Sequence, residues 1–360
     1  MHKKGLLEYS LLLTELTTIL LMKKEITIYD IADQLNISPS TVSRALNDHP
    51  AINEKTKERI NEMALQMGYR SNLFAKNLQA QSTMTIGVIV PKLDSYFMAT
   101  VLAGMEKEAS KAGYNLLITQ SLESLAKEIA NAGTMFKQRV DGLLVSTIVG
   151  SEKVTHFDPF LQKGIPTLFF DGVFDFGKAP KIVIDNELAG YEATKHLIEQ
   201  DCKCIYHITG EVKRKVYQDR FYGYLKALKE YDLPFNEDML FVDSLNIDRS
   251  YELSQYLQKA TLKPDGVFVT NDSCAASLMT GLKKMGCRVP EDIAIIGFND
   301  DPITRIVEPK LSTIHYPGEE MGEIAAKSMI SHLNKGLDFE MTNKIILRHD
   351  LIVRDSSRKK

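Results

Sequence analysis

Two kinds of hydrophobic pattern divide the chain. Between residues 27 and 68 the apolar positions recur at helical spacing in three short stretches. In TIYDIADQL (27–35) Ile28, Ile31 and Leu35 share a face, Thr27 precedes them as an N-cap, and Asp30 three places on completes a capping box. NISPSTVSRALN (36–47) follows. Ser38 is an N-cap, Pro39 suits the first helical position, Val42, Ala45 and Leu46 share one face, and Ser40, Ser43, Arg44 and Asn47 share the other. Only Asn36 and Ile37 separate the first helix from that cap, and Asn readily adopts the left-handed conformation of a tight turn. A third helix runs from the cap Asn53 through Ile60, Ala64 and Met67 to a stop at Gly68. The spacing predicts three short helices in helix-turn-helix order.

From Thr85 the pattern changes. Apolar runs (TIGVIV, NLLITQ, DGLLVS, PTLFFD) alternate with amphipathic stretches, and a second series runs from ELAGYEATKHLIEQ through CIYHITG, MLFVD and GVFVTND to IAIIGFND. This is a βαβ alternation, and near-continuous apolar strands imply parallel sheets covered on both faces. Two such series predict two doubly wound α/β lobes.

Length supports this division, since 360 residues exceed one domain of about 150. The net charge of -3 carries no global basic signal. Residues 22–81 hold eight basic and seven acidic side chains, so tight binding to nucleic acid would need two copies on one duplex. The four cysteines, Cys202, Cys204, Cys274 and Cys287, lack zinc spacing and read as reduced residues of a cytoplasmic protein. Residues 1–21 resemble a signal peptide at first sight. However, Glu8 and Glu15 interrupt the apolar run, no cleavage site follows, and the run falls short of the roughly 20 residues that span a bilayer. With Met22 standing directly before KKEITIYDIA, the expectation is a non-native or disordered extension at 1–21 and no membrane partner.

The candidate chemistry follows from these elements. In a helix-turn-helix the second helix enters the DNA major groove, where Ser and Thr bond phosphates or bases and Arg can fork onto guanine. A solvated face that touches nothing explains the same pattern. In open α/β sheets ligands sit beyond the carboxyl ends of the strands. There the chain places Pro91 to Asp94, Asp171, Asn271 with Asp272, and Asn299 with Asp300, and Arg220 near a helix start could reach the same cleft. Asp272 and Asp301 read as helix caps, Asp171 as either turn former or ligand, and His196 and His207 as structural. No nucleophile elbow, Walker loop, dinucleotide fingerprint or zinc-protease motif is present, so the cleft reads as a binding site rather than a catalytic one.

Taken in order, ITIYDIADQLNISPSTVSRALN, GYRSNLFAKNLQ, TIGVIVP, IDNELAG, TNDSCAASLMTGLKKMGCRVPEDIAIIGFND and PKLSTIHYP resemble the LacI/GalR family of transcriptional regulators. The resemblance runs from about Thr27 to the C-terminal strand IILRHDLIVRDSS. It implies a helix-turn-helix headpiece at 22–70, a hinge helix at 71–82, and a two-lobed core similar to periplasmic sugar-binding proteins. The first lobe is expected at 83–184 with 315–341, the second at 185–314 with 342–360. By matching position, Pro39, Ser40 and Arg44 are the base-reading residues and Thr41, Ser43 and Asn47 contact phosphates. Lys76 and Leu78 belong to the hinge and its minor-groove contact, and Pro91, Asp94, Asp171, Arg220, Asn271 and Asn299 bind the effector. Pro39 offers no donor, Asn299 stands where the family often has Asp, and Asp201 replaces a usual glycine. Expected partners are operator DNA, a second copy of the chain (dimer or tetramer) and a small-molecule effector, with no cofactor beside it. A sugar or sugar phosphate is favoured by analogy, and a purine or a protein co-regulator is the alternative. A transport protein of the same core fold would need a cleavable signal and no headpiece.

Overall fold

The computed structural model of the protein describes residues 26–69, 82–148, 155–173, 179–336, 339 and 344–359. The extension 1–21 and the hinge residues Lys76 and Leu78 lie outside them. The chain divides into two compact units, one ending at Gln81 and the other starting at Ser82.

The first unit holds helices α1 (Ile28–Leu35), α2 (Pro39–Leu46) and α3 (Glu54–Met67). Each begins where its cap residue stops the extended chain. Thr27 N–H donates to Asp30 Oδ2 at 2.8 Å and Asp30 N–H donates back to Thr27 Oγ1 at 3.4 Å, the reciprocal capping box. Asn36 takes the left-handed conformation, φ 53° and ψ 46°, and turns the chain into α2. Asn53 Oδ1 caps α3 by accepting from Thr56 N–H at 2.9 Å, and Gly68 ends it at φ 69°. The three helices bury one shared cluster: Ile31, Ala32, Leu35, Val42, Ala45, Ile60 and Ala64. So small a core gains about 1.5–3 kcal/mol from each large buried side chain. Caps of about 1 kcal/mol each are therefore a substantial share of its stability.

In the second unit the first lobe opens with β1 (Thr85–Val90), α4 (Tyr96–Lys111), β2 (Asn115–Gln120), α5 (Leu125–Lys137) and β3 (Gly142–Val145). It continues through the short α6 (Asp158–Gln162), β4 (Thr167–Phe170) and β5 (Lys181–Ile184). The second lobe runs α7 (Asn186–Glu199), β6 (Ile205–Thr209), α8 (Lys215–Glu230), β7 (Leu240–Val242), α9 (Ile247–Lys259), β8 (Gly266–Val269) and α10 (Asp272–Lys284). It then adds β9 (Ala294–Asn299), the turn α11 (Ile303–Ile306) and β10 (Ser312–His315). The chain ends with α12 (Gly318–Leu333), β11 (Lys344–Leu347) and β12 (Asp350–Ile352).

Two six-stranded sheets result, ordered β11-β5-β4-β3-β1-β2 and β12-β10-β9-β8-β6-β7. Every pairing is parallel except β12 with β10, which is antiparallel. The continuous apolar strands are explained by the alternation of their two faces. Ile86, Val88 and Val90 enter one buried cluster while Ile89 enters another, and Phe268 is separated from Val267 and Val269 in the same way. At the sheet edge β2 departs from the expectation of full cover: none of its residues is buried, and Ile118 is exposed.

The chain passes between the lobes three times: from β5 to α7, from β10 to α12, and from β11 to β12. The last passage corrects the expected boundary. Residues 344–347 pair with Lys181–Ile184 in the first sheet, so the return to the second lobe falls between Leu347 and Asp350 rather than at 341. The apparent single strand IILRHDLIVRDSS is thus two strands in two sheets, separated at Arg348 and His349. His196 Nε2 lies 2.6 Å from Ser357 Oγ and ties α7 to the end of the chain. His207 is sealed among Phe221, Tyr224 and Phe268, and burial pulls its pKa down to about 3, leaving it a neutral ring. All four cysteines are free thiols. Burial pushes Cys202 and Cys204 up to about 11, out of the range of reactive thiolates.

Candidate functional site

In the headpiece unit the hydroxyls of α2 are not equivalent. Ser38 Oγ accepts from Thr41 N–H at 3.2 Å and lies 2.8 Å from both Ser40 Oγ and Thr41 Oγ1, so three of the hydroxyls form one cluster at the helix start. Asn47 is the C-cap residue, and its amide Nδ2 folds back to donate to Ser43 O at 2.9 Å. That uses one of its two amide N–H donors, and the other N–H and the Oδ1 remain for a phosphate or a base. Val42 and Ala45 are buried, Pro39, Thr41 and Ser43 are partly covered, and Ser40, Arg44 and Asn47 are exposed. Spaced i, i+4 and i+7, these three form a stripe on one face. Among the described residues, no ion pair engages the Arg44 guanidinium.

The second unit contains a cleft of about 1010 Å³ between its lobes. All six residues expected to meet an effector line it: Pro91 and Asp94 after β1, Asp171 after β4, Arg220 on α8, Asn271 after β8, and Asn299 at the end of β9. Arg220 is only 4% exposed. Its Nε donates to Asn186 Oδ1 at 2.9 Å, its Nη1 to Thr270 O at 3.4 Å, and its guanidinium carbon lies 3.6 Å from the Phe298 ring centroid. No described carboxylate pairs with it. Burial pulls its pKa down against the opposing pull of Tyr316, Tyr217 and Asp171, but a guanidinium remains charged. A buried cation without a counter-ion is costly, and a ligand that brings lone pairs relieves that cost.

Packing of α7 on α8 fixes this arginine. A Cβ at Gly190 would lie 2.2 Å from Arg220 O, and one at Gly223 would lie 2.0 Å from Glu187 O, so only glycine allows the two helices to approach this closely.

Asp171 is less available than the sequence suggests. Its Oδ2 accepts from Ser146 Oγ at 3.1 Å and its Oδ1 from the Tyr316 hydroxyl at 2.8 Å. Tyr316 stacks on Phe97 with ring centroids 4.1 Å apart, and burial drives its pKa well above the ordinary phenol value, so it stays a donor. Asp171 therefore positions an aromatic wall. Asn271, not Asp272, caps α10, accepting from Cys274 N–H at 3.0 Å, which leaves its amide N–H₂ for a ligand.

Asp272 and Asp301 were expected to cap helices, and neither side chain does so. Asp272 is buried, accepts from Thr313 Oγ1 at 2.7 Å and from Asp301 N–H at 2.8 Å, and is pushed up by burial to about 8. Asp301 caps the α11 turn through its carbonyl, which accepts from Thr304 Oγ1 at 2.7 Å. Burial raises its carboxyl to about 6, and its Oδ1 has no hydrogen-bond partner. Between Asn299 and these groups the backbone is strained, with φ 117° at Asn299 and 58° at Asp300. Asp300 holds that conformation by accepting from Arg354 at 2.6 Å and Arg305 at 2.8 Å. Burial alone would raise the Asp300 pKa, but bonds from His315, Arg354 and Arg305 hold it well below the usual carboxylate range.

Sequence reasoning missed Tyr217 and Tyr316, which flank the Arg220 guanidinium at 5.7 and 5.8 Å, and also Glu123 and Arg214 at the cleft mouth. Tyr217 stands one helical turn before Arg220 on the same face, but ahead of the stretch DRFYGYLKALKE that reads as helix. Nothing local marks the others.

A helix-turn-helix unit and a two-lobed cleft in one chain define a class, the DNA-binding transcriptional regulators that carry their own sensor domain. Residues 27–72 match the family described as bacterial regulatory proteins, lacI family, and residues 194–357 match the periplasmic binding protein-like domain. The HTH-type transcriptional regulator RegA of Clostridium saccharobutylicum is 30% identical over 92% of this chain and 99% of its own length. The ribose operon repressor of Haemophilus influenzae is 29% identical over 92% of this chain and 98% of its own length. A solved structure of the lac repressor dimer bound to operator and an anti-inducer shares the fold, with a TM-score of 0.82 at 20% identity over 93% of this chain and 99% of that one. The chain belongs to the LacI family of bacterial regulatory proteins, and it is a DNA-binding transcriptional regulator rather than an enzyme. Among the described residues, no helix is long and apolar enough to cross a membrane.

Proposed function

We propose that the protein is a cytoplasmic repressor that binds a near-palindromic operator as a homodimer, and that a sugar or sugar derivative held in the cleft sets its operator affinity. The observation that carries the effector reading is Arg220, a buried cation with no ion-pair partner among the described residues, set between aromatic rings. A sugar offers that environment both things it lacks, hydroxyl lone pairs for the guanidinium and an apolar ring face for Tyr217 and Tyr316. Asn271 and Asn299 add amide donors and acceptors on the same side. The name of the ribose operon repressor supports the same class of effector. Near-neutral headpieces favour a dimer, because one copy offers few charges to phosphate. On this reading Ser40 and Arg44 meet bases, and Thr41, Ser43 and Asn47 meet phosphates.

The test is an operator titration of wild type and Arg220→Ala, with and without a panel of sugars, sugar phosphates and purines. A ligand shifts the lobes only by its difference in affinity for the two arrangements. Arg220→Ala should therefore lose the response. It should bind operator like ligand-free wild type if the ligand induces release, or bind weakly throughout if the ligand is a co-repressor. A mutant that responds at wild-type concentrations would place the effector elsewhere.

A further inference from the structure

At the mouth of the cleft Glu123, from the turn after β2, reaches across to the second lobe. Its Oε1 accepts from Arg214 Nη1 at 2.7 Å, and its Oε2 lies 3.1 Å from Lys92 Nζ in its own lobe. Among the described residues, this is the one ion pair that spans the mouth. The arrangement has two unusual parts. Leu122 and Glu123 both hold left-handed backbone, φ 49° and 56°, which a non-glycine residue adopts only when its surroundings impose it. Arg214 occupies the N-cap position of α8 with no side-chain cap, and its buried Nε has no partner.

Arg214, Tyr217 and Arg220 follow one another at three-residue spacing down α8, so one helix face carries two cations and a ring from mouth to floor. Acidic residues also line the cleft, but they do not compete for this column. Asp94, Glu211 and Asp248 are exposed to solvent and screened, Asp243 faces Arg249 at 3.5 Å, both oxygens of Asp171 are engaged, and Asp301 lies beyond Asn299 with its carboxyl raised by burial to about 6. The carboxylate held between Lys92 and Arg214 belongs to the protein itself.

We infer that Glu123 is an internal stand-in for an acidic group of the effector. The ligand is a sugar bearing a phosphate or carboxylate, whose acidic group displaces Glu123 from Lys92 and Arg214 while its hydroxyls meet Arg220. This rests on the reading of the cleft as the effector site and narrows it. Displacement exchanges the direct lobe-to-lobe pair for one made through the ligand, so the same event that seats the ligand replaces the contact across the mouth.

The experiment is calorimetric titration, at low ionic strength, of the full-length wild type, Glu123→Gln, Arg214→Gln and the conservative Arg214→Lys. The probes are inorganic phosphate, glucose, glucose 6-phosphate and glucuronate. Removing the competing carboxylate should tighten phosphate binding about tenfold in Glu123→Gln, and losing the guanidinium should weaken it by a similar factor, with Arg214→Lys between. Either acidic sugar should bind more tightly than glucose in wild type. Unchanged phosphate affinity in Glu123→Gln, or a tightening that persists when Arg214→Gln is added, would overturn the proposal. The two readings fail separately. A neutral sugar that shifts operator affinity through Arg220, while Glu123→Gln changes no anion, keeps the cleft and removes the acidic group. An anion bound through Arg214 without effect on operator affinity removes its role as effector.

Discussion

Arg44 differs from its neighbours on α2 in having no partner for its charge among the described residues, whereas Asn47 folds back on Ser43 and Ser38 Oγ lies within bonding distance of the Ser40 and Thr41 hydroxyls. Such a side chain is available to fork onto a guanine. Arg44→Ala should weaken operator binding by about 1–3 kcal/mol and binding to random DNA by less. Equal losses in a gel-shift titration at fixed salt would make it a phosphate contact. Asp272 supplies a prediction of another kind. Its carboxyl is raised from 3.8 to about 8 in the folded protein, so its contribution to stability is greatest when both forms are protonated and is lost as pH rises through that interval. Asp272→Asn cannot ionise, and its melting temperature should fall less than that of wild type between pH 5 and 8; parallel profiles would show that Asp272 is not the titrating group. Single residues were legible when their role was local: Thr27, Ser38, Asn53 and Gly68 cap as read. Asp272 was misread because its partners, Thr313 and Asp301, lie 41 and 29 residues away.

Elements were legible where one period dominates. TIGVIV and NLLITQ are β1 and β2 to the residue, because apolar runs of strand length bounded by turns have few alternatives. The start of α8 was not: the helix begins at Lys215, ahead of the DRFYGYLKALKE stretch, and this is the turn that carries Tyr217. The meeting of α7 with α8 is also invisible in a one-dimensional pattern, since Gly190 and Gly223 look like isolated helical glycines. They allow the backbone of Arg220 to press against α7. Gly223→Ala should destabilise the protein by about 1–3 kcal/mol through overpacking and should weaken the effector response along with it. Chemical denaturation and effector titration of one preparation would check both. Wild-type stability would mean that the helices separate without cost.

For the whole molecule, the order of strands along the chain gave the two lobes but misplaced their last exchange, because Arg348 and His349 interrupt what otherwise reads as one apolar strand. The convergence of Arg220, Asn271 and Asn299 was readable from the rule that ligands sit at strand carboxyl ends. The Glu123–Arg214 pair was not, since its members are 91 residues apart and in different lobes, and only the packing of the two lobes makes them neighbours. An effector response is likewise a property of both lobes together, which is why Arg220 in the cleft is the decisive variant for operator binding.

The threefold passage between lobes also fixes a timetable for synthesis. The helical unit draws its buried cluster from residues 26–69 alone and leaves the ribosome early, with everything it needs to pack. The first sheet cannot be completed until β11 emerges at Lys344–Leu347, after every strand of the second sheet except β12. At ~5–20 residues per second, that delay is on the order of ten seconds or more. Throughout it β5, with Ile182, Val183 and Ile184 all destined for the interior, is an open apolar edge to which any other nascent strand can pair. Chaperone demand during translation therefore falls on the sensor, while the DNA-reading part of the same chain is already formed.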